Sequence, residues 1–173
     1  RRHEQEIFPV LHKRYLFANV EKFRLYDFFT DYGGVDENVY AYSNGAGNQR
    51  ALMVFHNKFG HTSGWIKVST DFLVKETDSL IREDLYTGLN LKGGHGSYVT
   101  FKDISNGLEY IRPSQEVKDR GMFFELDAYK YHVFVNFAEL QDDDSQKYSR
   151  LSQYLNGRGV PSIEEALREL TLS

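Results

Sequence analysis

Six histidines, a triple aspartate, two glutamates in strand-like runs, a glycine-rich pentapeptide and a lone tryptophan are the groups that could do chemistry in this chain. His56 and His61 lie close together, but no His-x-x-x-His helical pair and no carboxylate at ligand spacing accompanies them. His3 and His12 fall in the N-terminal segment, His95 in a glycine-rich loop and His132 in a strand-like run. All six read as surface or hydrogen-bonded imidazoles. Lys92-Gly93-Gly94-His95-Gly96 lacks the Gly-Lys-[Ser/Thr] ending of a phosphate loop and reads as a flexible connection. Asp142-Asp143-Asp144 has no alternating spacing, no central glycine and no distal glutamate, so helix capping explains it better than calcium. Glu109 and Glu125 sit among apolar neighbours, where an outward-facing acid on an alternating strand is the default reading. A glycosidase carboxylate pair is defined by its separation across a cleft, which sequence spacing does not supply. Trp65, preceded by Ser63-Gly64, offers the broad apolar face that stacks on a sugar ring. It is the one candidate carbohydrate-binding residue, although core burial is the favoured reading of its ring. No catalytic residue, metal ligand or cofactor is assigned.

Composition narrows the classes. The chain has 173 residues, a length that suits one domain with a real core. Its net charge of −4, without a Lys/Arg stripe, argues against a nucleic-acid partner. No apolar run approaches the length of a membrane span. The absence of cysteine excludes disulfides and thiolate sites. Aromatics make up 15% of residues, a share that suits pleated, half-buried surfaces. The opening Arg1-Arg2-His3, without Met, reads as a piece of a longer chain; a cytoplasmic setting is favoured, with a lost signal left open.

The elements that must position these groups are mostly strands. Val39–Ser43 and Arg50–Phe55 flank a Gly/Asn cluster, a hairpin signal, and the second run is apolar on both faces. Glu21–Phe29, Trp65–Val68, Tyr98–Ile104, Leu108–Arg112, Met122–Leu126 and Tyr131–Phe137 complete about eight strands. Ser105-Asn106-Gly107 marks a second hairpin. Helices are expected over Pro9–Ala18, Thr77–Leu89, Ser145–Leu155 and Ile163–Leu172, the last launched by a Ser162–Glu165 capping box. Pro113–Arg120 reads as a polar connection or a helical turn. Short strands joined by hairpins, without crossover helices, predict a mainly β, antiparallel sandwich of Greek-key or jelly-roll type with peripheral helices at both ends. A closed barrel is the alternative. The expected divisions are a terminal helix over 1–20, the β-sandwich over 21–140 and a helical extension over 141–173.

Several segments resemble the region that follows the catalytic barrel in the α-amylase family of glycoside hydrolases. HEQEIFPVLHKRYLFANV (3–20) is similar to the helix closing such a barrel, FRLYDFF (23–29), VYAYSN and RALMVFHN to the opening strands of the C-terminal β-sandwich, and ELDAYKYHVFVNF (125–137) to its last strands. GLEYIRP (107–113) and LNGRGVPSIEEALREL (155–170) resemble a bacterial branch with a helical extension. The family's catalytic aspartates and glutamate lie on the barrel, and no segment here matches their motifs. The resemblance therefore implies a non-catalytic accessory domain of an enzyme acting on α-glucans. Its expected partner is the barrel of the same parent chain, which it would shield and stabilise. A carbohydrate-binding module stacking aromatics on starch or maltodextrin is the alternative, and self-association through exposed interdomain surface stays open. Neither nucleic acid nor membrane is expected as a partner.

Overall fold

The computed structural model describes residues 22–172, so the helix expected over Pro9–Ala18 lies outside the described residues. The chain folds as a mainly β, antiparallel structure. Among the described residues ten strands run in order: β1 (Arg24–Thr30), β2 (Val39–Ala46), β3 (Gln49–His56), β4 (Thr62–Ser69), β5 (Phe72–Val74), β6 (Ser79–Ile81), β7 (Ser97–Asp103), β8 (Leu108–Pro113), β9 (Met122–Leu126) and β10 (Tyr131–Gln141). Eight form one sheet in the order β8-β7-β10-β3-β2-β1-β4-β9, while β5 and β6 pair separately. Every neighbouring pair is antiparallel. The first four strands make a Greek key: three linked in sequence, and the fourth returning beside the first.

The sheet supplies both layers of the core by curling. On a flat sheet β9 and β10 would stand roughly 24 Å apart, five spacings of about 4.8 Å. Yet the Phe124 and Phe134 ring centroids are 5.7 Å apart, so the β9 end folds over onto the middle of the sheet. Between the layers lie Phe28, Leu52, Val54, Ile66, Val99 and Leu126, all buried. Edges β8 and β9 do not pair, and a seam is left between them. Helix α2 (Ser114–Arg120) carries the chain from one edge to the other, with Val117 buried in the core. That segment is a full helix where the sequence left open a connection or a turn.

Local chemistry explains the turns. Ala46 pairs with Gln49, so β2 and β3 are joined by two residues, and Gly47 has the positive φ of 58° that mirror-image hairpin turns need at their first central position. The helix expected over Thr77–Leu89 is corrected. Phe72–Ile81 is a small hairpin with Asp78 at a φ of 52°, and only α1 (Leu85–Gly88) is helical. Asp84 starts that helix by accepting from Thr87 N at 2.8 Å. Leu85 and Leu89 turn into the core while Leu80 and Ile81 stay exposed on the hairpin. The helical spacing thus spans two elements.

At the C-terminus, α3 (Lys147–Leu155) and α4 (Ile163–Leu172) pack on β8 through Ile111, Leu151, Leu155 and Ile163. Asp142 caps α3 by accepting from Tyr148 N at 2.8 Å and Ser149 N at 3.1 Å. Ser162 caps α4 by accepting from Glu165 N at 3.1 Å. No described helix is long and apolar enough to cross a membrane.

Candidate functional site

Cross-strand register fixes what the outer surface presents near the seam. Phe29 stands opposite Trp65, and Trp65 opposite Phe123, giving an aromatic row across β1, β4 and β9. Trp65 is partly buried and Phe123 exposed. Their ring centroids are 5.2 Å apart with planes inclined by 57°. Arg120, the last residue of α2, lays its guanidinium over the Trp65 ring at 4.6 Å. Trp65 is therefore neither fully buried nor fully exposed, and in the sequence it stands out only by its uniqueness. Its partner Phe123 was one of many phenylalanines, and only the register picks it out.

Beside this row the seam opens into a cleft of about 550 Å³ lined by Arg112, Glu116, Phe123, Glu125, Asn156 and Arg158 among others. Arg112 reaches from the β8 edge and donates to Ile111 O at 3.0 Å and Gly157 O at 3.3 Å. Burial lowers the affinity of its guanidinium for the proton, and the Glu116 carboxylate works against that. Arg158 donates to the carbonyls of Leu155 and Tyr154, both at 2.9 Å, closing the C-terminal end of α3. Phe123 belongs to both the row and the cleft. A smaller pocket of about 370 Å³ lies between α3 and α4.

Among the described histidines, His56 and His61 meet at Asp127 and the other two lie apart. His56 is buried, with Nδ1 2.9 Å from Asp127 O. His61 meets the Asp127 carboxylate at 3.0 Å on the surface. His95 is exposed in its loop. His132 is hydrogen-bonded, within the sequence reading, but its partner is one the sequence did not show: Nδ1 lies 2.6 Å from the buried carboxylate of Asp103. That carboxylate also accepts from Ser105 N at 2.9 Å, Ser105 Oγ at 2.7 Å and Val133 N at 3.2 Å. Burial alone would raise the Asp103 carboxyl, but the His132 bond and charge with the Ser105 donors outweigh it and hold the group below its ordinary 3.8. Because the Ser105 hydroxyl donates to the carboxylate and not to the imidazole, the trio is a pin between β7 and β10, not a nucleophile with its base. Among the described residues no group of three or more His, Asp or Glu is arranged to hold a metal ion.

Of the two strand glutamates, Glu109 has a structural setting and Glu125 lies open on the surface. Glu109 accepts from Ile163 N at 2.8 Å and so caps α4. Glu125 is exposed, 4.0 Å from His61. The glycine-rich loop is also corrected: Glu139 accepts from Lys92 N and Gly93 N, both at 2.8 Å, and from Ser114 Oγ at 2.9 Å. Tyr86 adds a bond to Gly93 O at 2.5 Å. The loop is tied down, not a loose connection.

No family model, no curated protein and no solved structure matches this chain, so its functional reading rests on its own fold and site geometry.

Proposed function

We propose that this chain is a non-catalytic C-terminal accessory domain of an α-amylase-like glycoside hydrolase, set against the catalytic barrel of its parent chain and stabilising it. One observation carries the reading: the middle of the sheet is apolar on its outer face as well as its inner one. Register aligns Leu25, Tyr42, Met53 and Val133 in one outward row and Tyr40, Phe55 and Tyr131 in the next. Leu25 is 41% and Tyr40 50% exposed, at the β1–β2 side of this surface. Val133 is fully buried in a cluster with Ala51 and Val135, so it is the β1–β2 side, at Leu25 and Tyr40, that is open, and an apolar surface there suits a neighbouring domain better than water. The engagement of Glu109 with α4 is consistent with a chain whose carboxylates hold structure.

The test uses the parent enzyme with its barrel attached. Leu25→Asp and Tyr40→Asp change exposed positions, so this 173-residue chain alone should keep its melting temperature within a degree or two. In the parent enzyme the same changes should lower the unfolding midpoint of the barrel by several degrees. An unchanged midpoint in the parent enzyme defeats the proposal.

A further inference from the structure

The curl of the sheet leaves two strand edges facing one another across the seam, and they are not equivalent. On β8, Glu109 exchanges both main-chain bonds with Val160, at 2.7 and 2.9 Å, so it faces away from β7 and into the seam. Alternation turns Ile111 and Pro113 the same way. Ile111 O already accepts from Arg112 at 3.0 Å, and Pro113 has no N–H to offer. The β8 edge is thus closed against a further strand.

The β9 edge is open. Asp31 N donates to Ser63 O at 3.3 Å, so Ser63 faces β1 while its neighbours Thr62 and Gly64 face β9. These two pair with Leu126 and Phe124, whose main-chain groups therefore turn to β4. Those of Phe123 and Glu125 turn the opposite way, into the seam, and among the described residues they meet no partner. Met122–Leu126 carries no Lys and no Pro to guard this edge, and its pairing with β4 runs without a bulge.

Unpaired N–H and C=O groups in this alternation are matched by an extended main chain. We propose that the β9 edge is a docking site for an extended peptide segment of a partner protein, which joins the sheet as a further strand antiparallel to β9. The outer side chains fix its chemistry. Phe123 is 40% exposed and Glu125 holds out an open carboxylate, so the visitor sets an apolar residue opposite the first and a cation opposite the second. Antiparallel direction puts the cation two positions before the apolar residue. A second copy of β9 does not meet this demand, because Met-Phe-Phe-Glu-Leu brings no cation to Glu125. Residues of β8 and α3 wall the far side of the cleft, so the visitor is a bare strand and not the rim of another folded sheet. The assignment does not rest on the accessory role.

The test titrates the 173-residue chain with a capped peptide, Ser-Thr-Lys-Thr-Ile-Thr-Ser, followed at the backbone amide resonances. The Phe123 and Glu125 amides should shift saturably and exchange more slowly with solvent. N-methylation of the peptide at its Lys and Ile, which removes the donors that face β9, should weaken binding about ten-fold or more. Glu125→Lys, at an exposed position, should keep the fold, weaken binding of the Lys peptide and favour the same peptide with Glu in place of Lys. No saturable shift at the two amides, equal binding of the N-methylated peptide, or an unchanged preference for Lys in Glu125→Lys overturns the proposal. So does slow exchange of both amides before peptide is added, which would mean that another part of this chain or a second copy already holds the edge. The barrel-stabilising role is read from the parent enzyme's melting temperature and stands or falls separately.

Discussion

Asp103 has no exposed surface, and a charge in that position is tolerable because four donors are aimed at it. Removing the carboxylate strands His132 and the Ser105 amide together, so Asp103→Ala should cost about 3 kcal/mol in urea unfolding at neutral pH. The pH dependence is set by the lowered folded pKa. Stability from this group is complete above its unfolded value near 3.8 and is lost as the pH falls through the folded value. Urea midpoints measured from pH 7 down to 3 should therefore fall more steeply for the native chain than for Asp103→Asn. Equal slopes would mean that Asp103 is not ionised in the fold. Nothing in the sequence pairs Asp103 with His132. They lie 29 positions apart, and they meet because β7 and β10 are neighbours in the sheet. Trp65 was legible for the opposite reason, since its type alone separates it from the other aromatics.

Elements here are held at their ends by side chains from distant strands. Glu139 on β10 ties down the loop before β7, some 46 residues away in sequence, so Glu139→Ala should cost about 1–2 kcal/mol. The same change should speed amide exchange at Lys92 and Gly93, which hydrogen-exchange mass spectrometry can localise. Gly121 ends α2 at a φ of 82°, and a Cβ there would lie 2.0 Å from Ile66 O. Gly121→Ala must therefore distort the junction of α2 with β9, costing more than about 2 kcal/mol by thermal unfolding. A loss below about 1 kcal/mol would show that the junction has slack. Hairpins and caps were readable because their chemistry is local: Gly107 at a φ of 76° and the Ser162 cap both sit where the sequence placed them. The helix over Thr77–Leu89 was misread because apolar spacing does not show where one element hands over to the next. Ile81 and Leu85 share a helical period but belong to a hairpin and a buried turn of helix. The glycine-rich loop misled for a related reason, because glycine content reports backbone freedom and is blind to a carboxylate waiting on another strand.

At the scale of the whole molecule, the curl of the sheet and the packing of α3 and α4 on β8 bring the two edges of the sheet, β8 and β9, to one seam. The expected boundary near residue 141 coincides with the end of β10, yet the helices beyond it are joined to the sheet by Glu109, by the backbone bridge from Glu109 to Val160 and by the cluster around Ile111. This density of contact argues that sheet and extension unfold together. Leu151 is fully buried in that cluster, so Leu151→Ala should cost about 3 kcal/mol through the cavity it leaves. Trp65, alone of its type, sits on the β4–β9 wing, with Phe123 between it and the cleft that α3 helps to wall, so its fluorescence reports the sheet side of the seam. In a cooperative molecule Leu151→Ala lowers the urea midpoint equally by Trp65 fluorescence and by far-ultraviolet circular dichroism. If the fluorescence midpoint stayed in place while the helical signal melted early, the extension would be a separate module resting on the sheet, and the seam cleft it helps to wall would open independently of the core.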